Sequence, residues 1–140
     1  RTEIADLPGS HHILLRGVAR VRIGAELPAE QSYRVVSAQL LDDRTSSNPD
    51  HVQATYLRLL TLCDRLASCL DKGGNELRAL VRGQACAAEA ADVITAALVT
   101  DPNTRQMLLE ALDPAERLGH AVAHVGRLLC ELTPCEGAPN

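Results

Sequence analysis

Two histidines spaced four residues apart, His120 and His124, are the residues of this chain that most resemble a metal site. On a helix this spacing places both imidazoles on one face, as in zinc proteases. The zinc-protease helix has Glu directly after its first His, where this chain has Ala121, and a catalytic zinc needs three protein ligands. Glu116 is the nearest third ligand, but Arg117 lies beside it. The pattern therefore favours two solvent-facing histidines over a metal-dependent hydrolase.

The other groups that could do chemistry lack a supporting pattern. His11 and His12 are adjacent, so on a strand they point to opposite faces and do not share a metal. The paired acids Asp42 and Asp43 are interpreted as a solvated turn. Cys135 is the thiol expected to be most exposed. Because neither a nucleophile elbow nor a glycine-rich phosphate loop occurs, we expect no catalytic residue, no metal ligand and no cofactor, and we assign no peptide-binding residue.

The composition narrows the class of partner. Apolar residues make up 46% of the 140 residues, yet there is no Phe, no Trp and only two Tyr. Such a core of Leu, Val, Ile and Ala favours close helix packing. The net charge of −4 and the lack of stacking aromatics argue against nucleic-acid binding. No apolar run approaches the roughly 18 residues of a membrane helix. Five cysteines without a CxxC motif fit reduced thiols in a cytoplasmic protein.

The first third of the chain has the period of two that is typical of half-buried strands, in which the apolar face is buried. The odd positions from Ile13 to Ile23 are mostly apolar, whereas the even positions include Arg20 and Arg22. Gly17 within this run predicts a bulge or a bend. With the shorter stretch 2–6 and the β-rich stretch 32–43, the pattern predicts three antiparallel strands.

From residue 48 onward the period becomes 3.6, which predicts helices. Pro49 opens the first, with Asn48 or Ser47 as its cap, and Gly73 or Gly74 is expected to take the left-handed conformation at its end. Further helices are predicted over 76–84, 85–100 and 100–112, and the last is expected to run from the cap Asp113 to Pro134. The apolar stripes of the two long helices are Val52, Tyr56, Leu59, Leu60, Cys63, Leu66 and Leu70, and Leu118, Val122, Val125, Leu129 and Leu132.

Several short motifs occur in an order that resembles a known family. Gly17 precedes Arg20 by three positions within a strand-like run, Tyr33 opens the next run, and two acids close it. The helical part carries Ala-Asp-x-Ile, then Leu-Leu-Glu-x-Leu-Asp, then Glu-Arg-Leu. The residues concerned are Gly17, Arg20, Tyr33, Asp42, Asp43, Asp92, Ile94, Leu108 to Asp113, and Glu116 to Leu118. Across residues 2–132 they resemble the LON domain, the substrate-binding N-domain of the ATP-dependent Lon protease (protease La, peptidase S16).

The resemblance implies an α+β fold that is mostly α: short antiparallel strands, a remnant of a PUA-like pseudo-barrel, followed by a C-terminal helical bundle. We expect residues 1–45 to form a partial β subdomain, 46–133 the helical bundle subdomain and 134–140 a flexible tail. The first strands of the family pattern are absent and Pro134 stops the last helix. The chain therefore resembles the C-terminal two-thirds of the domain, from a stand-alone LON-domain protein.

For function, the resemblance implies a non-catalytic module that binds unfolded or tagged polypeptide in the cytoplasm, within Lon-type protein quality control. The expected means are exposed apolar surface and unpaired strand edges. Gly17 and Arg20 are interpreted as architecture, the first for a bend and the second for a rim salt bridge or hydrogen bond. The alternative is a helical protein-interaction or oligomerisation module without a client peptide. In either case an exposed strand edge could pair with a second copy to form a homodimer. Neither nucleic acid nor membrane is expected as a partner.

Overall fold

The computed structural model describes residues 17–28, 32–44 and 48–133. Two antiparallel strands are followed by five helices, which confirms the predicted α+β order and the mostly helical content. The elements are β1 (Arg20–Leu27), β2 (Val35–Leu41), α1 (Pro49–Cys69), α2 (Gly74–Arg82), α3 (Ala87–Leu98), α4 (Pro102–Glu110) and α5 (Pro114–Leu132). They belong to two compact units, one within residues 1–41 and the other within residues 42–140.

The strand pair contains one irregularity, and glycine explains where it falls. Ile23 pairs with Ala38 and Glu26 with Val36, so two residues of β1 stand opposite Ser37. A Cβ added to Gly24, one of those two, would lie 2.5 Å from Ser37 Oγ. Gly24 thus permits a bulge in the ladder. Gly17, where a bulge or a bend was predicted, lies three residues before β1 begins and so is not a bulge of this ladder, whereas the bend stays a prediction.

The period-of-two pattern marks a strand correctly but not its burial. Val21 and Ile23 were expected on a buried face, yet Ile23 is 69% exposed, and Leu40 on β2 is 71% exposed. A two-stranded sheet buries an apolar face only when another layer covers it, and the described residues of the strand unit supply no such layer. The third predicted strand, residues 2–6, lies outside the described residues.

The helical unit begins with a local cap. Asn48 Oδ1 accepts a hydrogen bond from the His51 backbone N–H at 3.0 Å, and Pro49 occupies the first turn. This confirms Asn48 as the cap, because its side chain satisfies a donor that the helix leaves unpaired. The prediction that a left-handed glycine ends α1 is wrong, because Leu70 follows α1 in an extended conformation. Gly73 is left-handed, with φ of 85°, but it is the N-cap of α2.

The close contact between α1 and α2 depends on Gly74, the first residue of α2. It is buried, and a Cβ added there would lie 2.2 Å from the carbonyl oxygen of Ala67. Any side chain would therefore push the two backbones apart. Only glycine allows α2 to begin so close to α1.

Four of the helices supply one hydrophobic core. Most of the predicted stripe positions are buried or partly buried, although Leu132 is exposed. The buried core residues are Leu59, Cys63, Leu66 and Ala67 of α1, Leu77 and Val81 of α2, Ala91 and Ile94 of α3, and Leu118, Ala121, Val125 and Leu129 of α5. The small residues Ala91 and Ala121 suit the close helix packing that the absence of Phe and Trp predicted.

The last two helices also begin at aspartate caps. Asp101 Oδ2 accepts hydrogen bonds from Thr104 N at 2.7 Å and from Thr104 Oγ at 2.6 Å, and these bonds hold the pKa of Asp101 below its ordinary value. Asp113 Oδ1 accepts from Ala115 N at 2.8 Å, which confirms the predicted start of α5. Both carboxylates also lie where the positive end of the helix dipole favours negative charge.

Candidate functional site

A cleft of about 330 Å³ lies between α1 and α2. Its most buried lining residues, Cys63 and Val81, are apolar, and Leu60 beside them is half-buried. Its outer lining is polar and comprises Thr61, Asp64 and Arg65 of α1 and Arg78 and Arg82 of α2. Spacings of three and four residues place these side chains on the facing sides of the two helices.

One arginine of the cleft is fully engaged within the protein. Arg78 Nε donates to Asp64 Oδ1 at 2.9 Å, and its Nη2 donates to Ser68 Oγ at 2.6 Å and to the Asp64 carbonyl oxygen at 3.3 Å. Its Nη1 donates to Asn75 Oδ1 at 3.4 Å. These bonds tie α2 to α1, so Arg78 is structural rather than available to a ligand.

The other two arginines of the cleft face solvent. Arg82 Nη2 lies 3.5 Å from Asp64 Oδ1, the oxygen that Arg78 already occupies, and its side chain is 71% exposed. Arg65 is exposed and has no ion pair or hydrogen bond within the part of the chain that the structure describes. The lining therefore contains three cations and one carboxylate, and the cleft is locally positive in a chain whose net charge is −4.

The thiol at the bottom of the cleft is chemically quiet. Cys63 is buried, and this burial raises its pKa to about 11. The thiolate is the nucleophilic form, so at neutral pH this sulfur acts as a small apolar side chain. Cys69, Cys86 and Cys130 are exposed, whereas Cys135, the thiol expected to be most accessible, lies outside the described residues.

The strongest polar cluster of the helical unit surrounds Arg117. Its side chain is only 1% exposed, and its Nη1 and Nη2 donate to the two carboxylate oxygens of Asp43 at 2.8 and 2.7 Å. Nη1 also donates to the Ala111 carbonyl oxygen at 2.9 Å. Nε lies 3.0 Å from Asp92 Oδ1, an ion pair whose geometry falls short of a hydrogen bond. Burial opposes the charge, but the bonds to Asp43 and the nearby carboxylates outweigh it and raise the pKa of Arg117.

The Arg117 cluster corrects the interpretation of the two acids that follow β2. Asp42 is exposed, as expected for a solvated turn. Asp43 is instead held bidentately by a buried arginine 74 residues further along the chain. The next residue, Arg44, donates its backbone N–H to the Leu112 carbonyl oxygen at 2.8 Å. The segment before α1 is thereby fixed to the start of α5.

The two histidines of α5 differ in their exposure to solvent. His120 is exposed, but His124 is half-buried, so the expectation that both point into solvent is wrong for His124. Its Nε2 lies 3.1 Å from the Leu98 carbonyl oxygen, and its Nδ1 lies 3.1 Å from Arg127 Nη2. Arg127 is only a donor, so these contacts fit the neutral imidazole with its proton on Nε2. His124 therefore binds a free carbonyl at the end of α3.

The same end of α3 receives a second side chain. Arg105 of α4 donates from Nε to the Val99 carbonyl oxygen at 2.5 Å and from Nη2 to the Ala96 carbonyl oxygen at 2.7 Å. Carbonyls at a helix end lack partners within the helix, and a cation there also complements the dipole. Arg105 and His124 thus act as a C-terminal cap. Across residues 17–28, 32–44 and 48–133, no group of three metal-ligating side chains is positioned to hold a metal ion.

Comparison with known proteins identifies the family. Residues 2–127 match the family described as the ATP-dependent protease La (LON) substrate-binding domain. The chain belongs to the LON substrate-binding domain family. The LON domain is also 31% identical over 122 residues to the Lon protease of Paraburkholderia phytofirmans, an alignment that covers 86% of this chain and 15% of that protein. It therefore spans less than a sixth of the relative's length. No solved structure matches it.

The LON motifs identified from sequence take up different positions in the structure. Tyr33 precedes β2 and is exposed, and Arg20 is the first residue of β1, where its polar role stays a prediction. Asp43, Asp92 and Arg117, which belonged to three separate motifs, form a single cluster. Their common membership of the family pattern was the signal that could have revealed this contact. The cleft had no such signal, because the LON motifs do not include Arg65, Arg78 or Arg82. Within the described residues, no helix is long and apolar enough to cross a membrane.

Proposed function

We propose that this LON domain binds unfolded or extended polypeptide as a non-catalytic recognition module of Lon-type protein quality control. The observation that carries the proposal is the family match over residues 2–127 to a substrate-binding domain. In the protease that gives the family its name, this domain is a substrate-binding part rather than the catalytic part. The relative named as a Lon protease supports the same assignment.

The strand unit offers a surface suited to this role. Exposed large apolar side chains are concentrated there, including Val18, Ile23 and Leu40. Among the described residues, each of the two strands pairs only with the other, so each presents an edge of backbone groups. An extended chain can add to such an edge through main-chain hydrogen bonds while its side chains contact the apolar residues.

The test compares one protein in its folded and its permanently unfolded form. The purified 140-residue chain should bind the unfolded form and leave the folded form unbound, as measured by the anisotropy of a fluorescent label on the ligand. Unfolded polypeptide exposes the apolar side chains and backbone that the strand unit can contact. Absent binding, or equal binding to both forms, would contradict the proposal.

Finer parts of the proposal rest on the family and on composition. We place the strand unit as a remnant of a PUA-like pseudo-barrel, with residues 1–45 as the β subdomain, 46–133 as the helical subdomain and 134–140 as a flexible tail. We place the protein in the cytoplasm, because five cysteines without a CxxC motif suit a reducing compartment.

Self-association is the second candidate. The same exposed strand edges and the side chains of Val21 and Leu40 could pair with a second copy and form a homodimer without a client peptide. Sedimentation at increasing protein concentration should then show a rising average mass. A strict monomer at the highest concentration, together with binding of unfolded polypeptide, would favour the first candidate alone.

A further inference from the structure

We propose that the cleft between α1 and α2 binds acidic segments of extended polypeptide, with a carboxylate held by Arg65 and Arg82 and a neighbouring apolar side chain on the cleft's apolar residues. This inference rests on the proposed function, since it assigns a site and a preferred substrate chemistry to polypeptide binding. It concerns the helical unit alone and assigns a function to side chains outside the LON motifs.

The lining of the cleft contains more basic than acidic side chains. Asp64 is the only acid among the lining residues, and Arg78 occupies its Oδ1 with a 2.9 Å hydrogen bond. Arg82 lies further from that same oxygen, at 3.5 Å, and keeps most of its guanidinium in solvent. An incoming carboxylate would therefore find at Arg82 and Arg65 two exposed cations beside a single acid, Asp64, which Arg78 already engages.

The basic side chains of the cleft are of the type that binds carboxylates best. Both exposed residues are arginines, in a chain whose only lysine is Lys72. The planar guanidinium fork binds a carboxylate with two parallel hydrogen bonds, which the compact lysine ammonium does not do. The Arg117–Asp43 pair shows that geometry within this protein, at 2.8 and 2.7 Å. The cleft offers the same group to a carboxylate from outside.

The cleft also contains an apolar surface next to its charged residues. Leu60 and Val81 lie beside the charged residues, and the Cys63 thiol stays uncharged because burial raises its pKa to about 11. Such a surface suits an apolar side chain but gives a nucleic acid nothing to stack on, since no aromatic residue lines the cleft. Two exposed cations are also few for a polyanion, whose binding grows with the number of phosphates neutralised. An acidic and apolar peptide fits better.

The experiment measures the binding of two short labelled peptides to the full chain. One alternates Glu with Leu, and the other carries Lys in place of Glu. The acidic peptide should bind about tenfold more tightly than the basic one at low salt, and added salt should reduce the difference because exposed charges are screened.

Charge reversal locates the site. Arg65→Glu and Arg82→Glu should each weaken binding of the acidic peptide by about tenfold, since reversal removes an attraction and adds a repulsion. Arg44→Glu is the matched control: Arg44 is an exposed arginine before α1 that does not line the cleft, and its reversal changes the net charge equally, so binding should stay within about twofold. If a reversal variant does not fold by circular dichroism, the double variant Arg65→Gln and Arg82→Gln replaces it.

Each outcome is decisive. Equal binding of the two peptides, or equal losses in the Arg44 and cleft variants, would overturn the cleft assignment. A single-stranded oligonucleotide that binds as tightly as the acidic peptide, through the same arginines, would also overturn it by showing a general anion site. Unfolded protein that still binds in these cases would leave the proposed function standing. If the acidic peptide binds the cleft but no unfolded protein binds at all, the proposed function fails and the peptide site remains.

Discussion

Arg117 joins parts of the chain that lie far apart in sequence: Asp43 before α1, Asp92 in α3 and the Ala111 carbonyl before α5. A buried arginine is costly unless its donors are satisfied, and here two carboxylates and a carbonyl surround it. Its role in this chain is therefore to hold these three segments in register at one end of the helical bundle.

Replacement of Asp43 should expose this role. Asp43→Asn removes one charge and one of two bidentate bonds to a guanidinium that is only 1% exposed. The free energy of unfolding in urea should fall by about 1.5–3 kcal/mol, the range for a lost hydrogen bond to a charged group. Asp42→Asn is the control, since Asp42 is its exposed neighbour, and should change that free energy by less than about 0.5 kcal/mol. Equal effects of the two substitutions would contradict the argument.

The cap at Asp101 predicts a pH dependence. Hydrogen bonds from Thr104 lower the pKa of Asp101 in the folded protein below its ordinary 3.8. The charged cap thus stabilises α4 fully above pH 3.8, and this contribution disappears as the pH falls through the lower, folded value. Thermal unfolding of the wild type and of Asp101→Asn should be compared at several pH values, because Asn caps a helix without titrating. A difference between them that stays constant from neutral pH to below 3.8 would contradict the prediction.

Helix caps could be predicted from the sequence, whereas side-chain contacts between residues far apart in the sequence could not. Asn48 and Asp113 each bond a backbone N–H within three residues, so local sequence contains all that the cap requires. The bond between Asp43 and Arg117 depends on how the bundle folds, and two adjacent acids look like a solvated turn until that fold is known. His124 was placed on the wrong side for the same reason, because its partner Leu98 belongs to another helix.

At the level of the helices and strands, the junction of α1 and α2 leaves no room for a side chain at its first residue, Gly74. Gly74→Ala would place a methyl group 2.2 Å from the Ala67 carbonyl oxygen, so the helices must move apart. We expect the free energy of unfolding to fall by about 1–3 kcal/mol, as overpacking generally costs. Gly119→Ala is the matched control in α5, where a Cβ meets nothing within 4 Å. It should raise that free energy by roughly 0.5–1 kcal/mol, since alanine favours the helix interior. Destabilisation by both substitutions would refute the close-contact explanation.

Helices and strands were therefore predicted with different completeness. The 3.6 period located the helices and most of the core face of α1 and α5, because the bundle covers each stripe with other helices. The period of two located β1 but wrongly implied that Val21 and Ile23 are buried. A pattern shows which side chains share a face, and whether that face is covered depends on its neighbours. Gly73 was correctly expected to be left-handed, but its role belongs to α2.

Across the whole molecule, the two units should differ in local stability. The described residues of β1 and β2 are mostly exposed, whereas α1 and α5 contain eight buried apolar core residues between them: Leu59, Cys63, Leu66, Ala67, Leu118, Ala121, Val125 and Leu129. Backbone hydrogen bonds with little apolar cover open most often. Hydrogen exchange followed by NMR should therefore be faster for the strand amides than for the amides of α1 and α5. Slower exchange in β1 and β2 would contradict this expectation.

The family could be predicted from the order of motifs along the chain, but the cleft could not. Its arginines come from two helices and stand among ordinary surface residues in the sequence. Only the packing of α1 on α2, which brings Arg78 onto Asp64, shows that Arg65 and Arg82 share a cleft in which Asp64 is the single acid.

The pairing of α1 with α5 has a consequence for the order of events during synthesis. α1 packs most extensively against α5, and the ribosome makes the start of α5 roughly 65 residues after the start of α1, an interval of about 3–13 s at ordinary elongation rates. During that interval the apolar residues of α1 have no α5 to pack against, and Asp43 has no Arg117 to bind. A domain that belongs to a family of substrate-binding domains is thus itself, while it is being made, an incompletely folded chain with exposed apolar residues.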